Sequence, residues 1–264
     1  MKLDRFIKFI SNRLKIWQLE LTFISKLRLF FWSFLCPFFK KIKIPIPTIH
    51  IKFKNKSLFI FDWTDMGTFF EIFIFEEYFV EVDQALVKRV LDLGSNRGYS
   101  SIYLANKFPG AQVISVEADP GNIEKLKINL SDFGDNGIVI EPKAISDHGG
   151  VVDFYLNFGV SISGSTLIRD AKAKKVSVPA MTLVDLEKKY GSFDVVKFDI
   201  EGTETTAIKP ESLGYKPMIW IGEYHEDLTA VPLDVFLQRF EGYRLSSVRK
   251  IAKFRSLIIL ELIK

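Results

Sequence analysis

The sequence predicts an α/β fold built on a mostly parallel sheet. From residue 89 onward, short apolar runs alternate with helical stretches. Strand, helix, strand at this spacing implies right-handed crossovers. The first run ends in a glycine turn that opens a helix, Val90-Leu-Asp-Leu-Gly-Ser-Asn-Arg-Gly-Tyr-Ser100, and ligands of parallel sheets bind at such strand ends. Finally, 264 residues at 48% hydrophobic and 26% charged suit one large domain with a short appendage and exclude a disordered or collagen-like chain.

The appendage comes first. Residues 1–45 carry ten Lys/Arg against two acids, Asp4 and Glu20, although the whole chain is only +4. The body is therefore mildly acidic. Leu3, Ile7, Ile10, Leu14, Trp17, Leu21 and Ile24 recur at helical spacing, and so form one stripe. A second stripe, Leu19, Phe23, Leu27, Phe30 and Phe34, makes the helix apolar on most sides toward its end. The uncharged run Leu29–Phe39 has eleven residues, about half of what a bilayer core needs. Scattered charges and the Lys-rich sequence that follows do not fit a signal peptide. Residues 1–42 suit a helix lying on an anionic membrane surface. Packing on the protein's own body, or a dimeric coiled coil, would explain the same stripes. Ile44-Pro-Ile-Pro-Thr48 cannot continue a helix. The expected division is a helical arm over 1–45 and a domain over 46–264.

Strands are expected at His50–Lys54, Ser57–Phe61 and Thr68–Phe75. The parallel-sheet runs are Arg89–Leu93, Gln112–Val116, Gly137–Glu141, Asp194–Phe198 and Pro217–Gly222, with helices at Tyr99–Lys107 and Pro120–Leu130. An insert at Val151–Ala180 holds two further strands, Val151–Leu156 and Lys175–Pro179. Tyr243–Arg249 and Leu257–Leu262 should close the chain as an antiparallel pair. The single cysteine, Cys36, rules out an internal disulfide and points to a reducing, cytoplasmic setting. With three well-separated histidines, His50, His148 and His225, it argues against structural zinc.

The glycine turn narrows the ligand. Gly94 and Gly98 let the backbone turn tightly and let a ligand approach. Asn96 stands where a dinucleotide fold has its middle glycine, and no Gly-Lys-Ser/Thr follows, so pyrophosphate and Walker-type cradles are absent. Asp92 is unwelcoming to phosphate and suits an ammonium or hydroxyls. The second strand ends in Glu117, 23 residues after Gly94. An acid there can accept hydrogen bonds from both ribose hydroxyls of an adenosine-type ligand. Simple strand–helix packing by the glycines, with Glu117 as a helix cap, is the structural alternative.

Two acidic pairs follow. Asp199 and Glu201 end the fourth parallel run, and Glu223 and His225 end the fifth. Residues i and i+2 of an extended chain share a face, so neighbouring strands would bring three carboxylates and an imidazole together. Such a cluster can remove a hydroxyl proton, with His225 first by intrinsic pKa and Asp199 or Glu201 next if desolvated. Otherwise, hard oxygen ligands could hold Mg²⁺, which would acidify the hydroxyl. Bland readings also exist. Glu204 can favour its helix N-terminus, Glu223 can pair with Lys197, and His225 and Arg97 can face solvent.

Leu91-Asp-Leu-Gly-Ser-Asn-Arg-Gly-Tyr-Ser, Val116-Glu-Ala-Asp-Pro-Gly-Asn, Lys143-Ala-Ile-Ser-Asp, Val196-Lys-Phe-Asp-Ile-Glu-Gly-Thr-Glu204 and Ile221-Gly-Glu-Tyr-His225 together resemble the FkbM-type family of class I S-adenosylmethionine-dependent methyltransferases. Trp63-Thr-Asp65 and Glu76-Glu-Tyr78 add to the likeness, which covers residues 50–264 and leaves the arm outside. Lys-x-Asp-x-Glu-Gly-x-Glu is its most family-specific part. The resemblance implies a Rossmann-like sheet of seven strands with the last antiparallel. It also implies a cofactor site with Asp92, Gly94, Asn96 and Gly98 around the methionine part, Glu117 on the ribose and the Ala144 backbone at the adenine edge. It implies O-methylation of a sugar, glycolipid or related small molecule, with no nucleic-acid partner. An RNA methyltransferase, suggested by the basic arm, and a non-catalytic S-adenosylmethionine-binding module are the competing readings. The acidic sequence around Asp199 disfavours the former.

Overall fold

The computed structural model describes residues 2–156, 165–167 and 173–263. Parts of the expected insert, 157–164 and 168–172, lie outside the described residues. The chain divides into two compact units, one of residues 1–79 with 128–133 and one of residues 80–127 with 134–264. The Pro-bearing stretch at 44–48 falls inside the first unit.

The first unit opens with α1 (Lys2–Leu14), a short 3₁₀ turn and α2 (Phe23–Lys41). The arm is thus two helices rather than one. Residues 19–22 leave the helix because they pair with the next strand. Leu21 bridges Phe53, Lys54 N donates to Glu20 O at 2.8 Å, and Thr22 N donates to Lys52 O at 3.2 Å. Pro37 sits inside α2 and has no N–H to offer the Ser33 carbonyl. Arg13 supplies the missing donors, with Nη2 at 2.8 Å and Nε at 3.3 Å from that oxygen. Then β1 (Ile49–Phe53) and β2 (Lys56–Ile60) form a hairpin around Lys54 and Asn55, both at positive φ, as a two-residue turn of this hand requires. The free edge of β2 is covered by side chains: Phe59 N donates to Asn129 Oδ1 and Ser57 N to Asp132 Oδ2, each at 2.9 Å.

The expected third strand, Thr68–Phe75, is helical instead. Asp62 caps α3 (Trp63–Phe69) by accepting from Thr64 N and Asp65 N, and the helix runs on as a π turn through Ile74. Phe69–Phe75 is a short apolar run broken only by Glu71, and such a run does not by itself tell a buried strand from a helix. Asp62 caps the helix upstream, and the π turn that continues it buries Phe70, Ile72, Phe73 and Ile74 alike.

The second unit follows the βαβ pattern. Its elements are β3 (Arg89–Leu93), α4 (Tyr99–Lys107), β4 (Gln112–Val116), α5 (Pro120–Leu130), β5 (Ile138–Glu141), β6 (Ala144–Ile145), β7 (Gly150–Leu156), β8 (Lys174–Met181), α6 (Leu183–Tyr190), β9 (Val195–Phe198), α7 (Glu204–Ala207), β10 (Ile219–His225), α8 (Glu226–Thr229), α9 (Leu233–Leu237), β11 (Tyr243–Ala252) and β12 (Arg255–Leu262). The main sheet has seven strands in the order β11-β12-β10-β9-β3-β4-β5. β10, β9, β3, β4 and β5 are parallel, and the last strand, β12, enters antiparallel beside β10. β6, β8 and β7 make a separate three-stranded sheet.

β9 is buried at every position, as a central parallel strand should be. Packing between β9 and β10 depends on one glycine. A Cβ on Gly222 would lie 2.0 Å from the ring of buried Phe198. Phe198 in turn meets Trp220 and Phe236 edge-on. Gly222→Ala should therefore lower stability by the roughly 1–3 kcal/mol typical of overpacking, read as a lower urea midpoint. Adding Phe198→Leu to it should recover part of that loss. An unchanged midpoint in the single variant would contradict this packing.

Candidate active site

β3 ends against β9. The turn after β3 is held by Gly94 N and Ser95 N, which both donate to Val116 O at 3.0 Å. A Cβ on Gly94 would fall 1.8 Å from the Asp199 carbonyl oxygen, and its φ is +73°. Glycine is required there by the neighbouring strand end as well as by the turn. Beneath the turn lies a buried ion pair. Lys197 Nζ is 3.1 Å from Asp92 Oδ1 and donates to Gly94 O at 2.8 Å. Ser100 and Ser101 donate to Asp92 Oδ2 at 2.6 and 2.7 Å. Asp92 thus faces this network. Gly98, at φ +92°, serves as the N-cap position of α4.

Above the turn opens a cleft. Gly94, Asn96, Glu117, Ala144, Asp199 and Glu201 line it, as do Asn122, Lys143, Ile145, Phe154, Thr166 and Thr203. Asp92, Gly98 and His225 are not among the residues that line it. Sequence reasoning missed Asn122 and Phe154. It also allowed Arg97 to face solvent, whereas Arg97 is buried and its Nε lies 3.3 Å from Asn122 Oδ1. The buried guanidinium thereby orients an amide of the cleft wall. Only the sequence position of Arg97, inside the turn, hinted at this.

The Glu117 carboxylate is largely spoken for. Its Oε1 accepts from Ala118 N (3.0 Å) and Asp119 N (2.8 Å), and its Oε2 accepts from Asn96 N (2.8 Å). A carboxylate has about four lone-pair sites, so one remains, on Oε2. Helix capping, the alternative role, falls to Asp119, which accepts from Gly121 N and Asn122 N. Burial pushes the Glu117 carboxyl up to about 7 against the pull of its three amides.

β9 and β10 are neighbours, and their acidic ends meet. His225 Nε2 lies 3.4 Å from Glu223 Oε1, 3.5 Å from Glu201 Oε2 and 3.8 Å from Asp199 Oδ1. Its Nδ1 is 2.7 Å from Glu204 Oε1. Glu204 is fully buried and also accepts from Gly202 N, so it orients the imidazole. Glu201 and Gly202 both have positive φ, 51° and 104°. This strained turn aims the Glu201 carboxylate back at His225, and Ser165 Oγ braces it by donating to Glu201 O at 2.7 Å.

The geometry corrects the expected base. His225 is fully buried behind the carboxylates. Burial acts to lower its pKa, but Glu204 and Glu223, then Asp199, outweigh it and raise the imidazole to about 11. An imidazolium has no lone pair with which to take a proton. His225, by its burial and its contact with Glu204, suits the part of a positioning residue and counter-ion rather than that of a group that reaches the cleft. Glu223 stays ionised beside it, below the usual carboxylate range, despite its own burial. Asp199 behaves oppositely. Burial first, then the nearby Glu223 charge, push its carboxyl well above the ordinary value, against Lys197 and His225. Its Oδ1 is sealed from solvent without a hydrogen-bond partner, while the side chain as a whole remains 27% exposed. The rest of the carboxyl is therefore open.

Asp199, Glu201 and His225 each offer a ligand atom within 4.8 Å of one another. The expected Mg²⁺ prefers oxygen ligands, so the imidazole of this set does not suit it.

Residues 92–245 match the family model described as the Methyltransferase FkbM domain. The chain belongs to the FkbM family of methyltransferases. No curated protein matches it in sequence. Among solved structures, the FkbM methyltransferase of Methylobacillus flagellatus KT is similar at 13% identity and a TM-score of 0.50, over 97% of this chain and 60% of that one. This chain thus spans about three-fifths of that protein. An O-methyltransferase of Bacillus cereus in complex with SAH shows 15% identity and a TM-score of 0.42 over 69% of this chain and 78% of that one. Aeropyrum pernix fibrillarin with natively bound S-adenosyl-L-methionine shows 13% identity and a TM-score of 0.41 over 81% and 82%. At these identities the first likeness bears on the fold, a class I methyltransferase sheet.

A direct test concerns His225. Its pKa is raised, so the charged form and the stability it brings persist as pH rises, and are lost only near 11. Nitrogen NMR of the folded protein should show this ring protonated and unchanging from about pH 6 to about pH 9, while an ordinary histidine titrates near 6.5. A midpoint near that ordinary value would remove the counter-ion role.

Proposed function

We propose that the protein is an S-adenosylmethionine-dependent O-methyltransferase acting on a hydroxyl of a sugar, glycolipid or related small molecule. The observation that carries this is the Asp199 carboxyl. It lines the cleft, sits at the end of β9 beside Gly94, and has its pKa pushed up by burial and Glu223.

S-adenosylmethionine, when bound, supplies a methyl group on a positively charged sulfur. Glu117 Oε2 would accept from a ribose hydroxyl, and Ala144, Ile145 and Phe154 would cover the adenine. Asn96 and Gly94 would lie along the methionine part. Glu201 would face the positive end, where a negative charge is favourable. On the acceptor side the task is proton removal. A hydroxyl is a poor nucleophile until its proton leaves, and a base tuned toward the working pH contributes about 10²–10⁴-fold. Asp199 takes that proton onto its open oxygen. His225 and Lys197 keep the surrounding charge balanced, so that Glu223 stays ionised while Asp199 changes state. Holding acceptor and base in register accounts for the remainder.

The acids of the cleft also bear on the competing readings. Asp199, Glu201 and nearby Glu223 repel a phosphate backbone, which disfavours an RNA acceptor. A non-catalytic module would leave the raised Asp199 without a use.

Methyl transfer to a panel of monosaccharides and glycosides, read as S-adenosylhomocysteine formed, tests the proposal. Asp199→Asn should lower kcat by about 10²–10⁴ and leave cofactor affinity by calorimetry within about threefold. Glu117→Ala should weaken cofactor binding instead. For the wild type, kcat should fall as pH drops through the raised Asp199 pKa, because the base must be ionised, and a chelator should have no effect. Full turnover in the Asn variant would end the base assignment. Loss of turnover with chelator would replace it with a metal mechanism, and failure to bind cofactor would favour the non-catalytic reading.

A further inference from the structure

Helix α2 is turned the unexpected way. At 3.6 residues per turn, its buried residues Ser25, Leu29, Ser33 and Cys36 fall on one arc. That face is mostly small. Ser25 Oγ accepts from Lys52 N at 2.7 Å, and Ser33 O accepts from Arg13, so the helix lies close to its own unit through polar contacts. Phe23, Ile24, Leu27, Phe31 and Phe38 lie on the opposite arc, about 100° wide. They are 45–66% exposed. Trp17, itself partly exposed, packs on Phe23 at 5.9 Å and extends the apolar surface toward α1. Large aromatic side chains thus face outward while serines face inward. A contiguous apolar surface of this kind marks an interaction site.

We infer that this face of α2 docks on an anionic lipid bilayer surface. Charge selects that occupant. The helix carries Lys26, Arg28, Lys40 and Lys41 and no acid. Arg28 and Lys26 border the apolar arc on its two sides, and Lys41 closes its C-terminal end, followed by exposed Lys43. An apolar face framed by cations seats its side chains among acyl chains and its ammonium groups among anionic headgroups. A second copy of the chain would bring four cations against four with no acid on the helix to offset them. Spanning is excluded for the described helices, none of which is long and apolar enough to cross a membrane. The helix lies flat, and the attachment is peripheral.

The experiment is co-sedimentation of the full chain with vesicles. Wild-type protein should pellet with phosphatidylcholine–phosphatidylglycerol vesicles, much less with phosphatidylcholine alone, and less as salt is added. Leu27→Glu and Phe31→Glu should each weaken binding by about tenfold or more. Both sites are exposed, so far-UV dichroism and the thermal midpoint should be unchanged. Arg28→Glu with Lys41→Glu should remove the preference for anionic lipid. Binding of the Phe31→Glu variant equal to wild type would overturn the inference. So would a wild-type dimer in gel filtration that Phe31→Glu converts to monomer without any vesicle binding in either form, which would assign the face to a second copy.

Discussion

The Lys197 ammonium joins the two strand ends that make the cleft. It is almost wholly buried, it meets the Asp92 carboxylate, and it donates to the carbonyl oxygens of Leu93 and Gly94. Burying such a pair gains little by itself, yet removing one partner typically costs about 3–5 kcal/mol because the other charge is stranded. Lys197 therefore acts as a constraint. It fixes the glycine turn at the end of β9, where only a glycine fits under the Asp199 carbonyl. The cleft inherits its floor from that contact. Asp199 is in place because its backbone is part of the joint, with its N–H donating to Leu93 O at 3.0 Å.

The acidic cluster extends the same logic outward. Glu201, Glu204, Glu223 and Asp199 crowd around one imidazole, and like charges this close cannot all ionise unaided. His225 carries the compensating charge, with Glu204 fixing its ring from the buried side. The arrangement separates roles by depth. Glu204 and His225 are sealed, Glu223 lies between, and Asp199 and Glu201 reach the cleft. Of the two carboxyls that reach the cleft, Asp199 is the one whose proton affinity is raised, which suits the base proposed for it. The positive φ at Glu201 is a local strain of the sort that functional turns retain.

Much of this was legible in the chain. The limits of β3, α4, β4 and α5 follow from apolar periodicity and the glycine turn, since each element is short, buried and unambiguously punctuated. The pairing of the β9 and β10 ends follows from the i, i+2 spacing once those strands are neighbours. What was not legible depends on partners distant in sequence. His225 looks like a base by intrinsic pKa, and only the convergence of Glu204, Glu223 and Asp199 makes it a cation. Arg97 looks solvent-bound in a turn until Asn122 is placed beside it. Phe69–Phe75 is a short apolar run that a buried strand would also show, yet Asp62 upstream caps a helix that continues into it. The arm reads as one long helix because nothing local announces that residues 20–22 will pair with β1.

The two units break local rules in different currencies, and each break falls where a ligand would supply the missing term. In the second unit the broken rule is electrostatic. Carboxylates gather in a partly buried cleft with two cations between them, and a positively charged ligand at the mouth would relieve the excess. In the first unit the broken rule is hydrophobic. Exposed Phe23, Phe31 and Phe38 forgo the burial worth about 1.5–3 kcal/mol that each could gain, while Ser25 and Ser33 occupy the interior. Rotating α2 by half a turn would bury the aromatics, but Lys52 N and the Arg13 guanidinium would lose their acceptors Ser25 Oγ and Ser33 O. Those polar contacts hold the helix in its present orientation. A fold that spends hydrogen bonds to keep an apolar face outward is consistent with use of that face, because natural sequences depart from local consistency chiefly at functional sites.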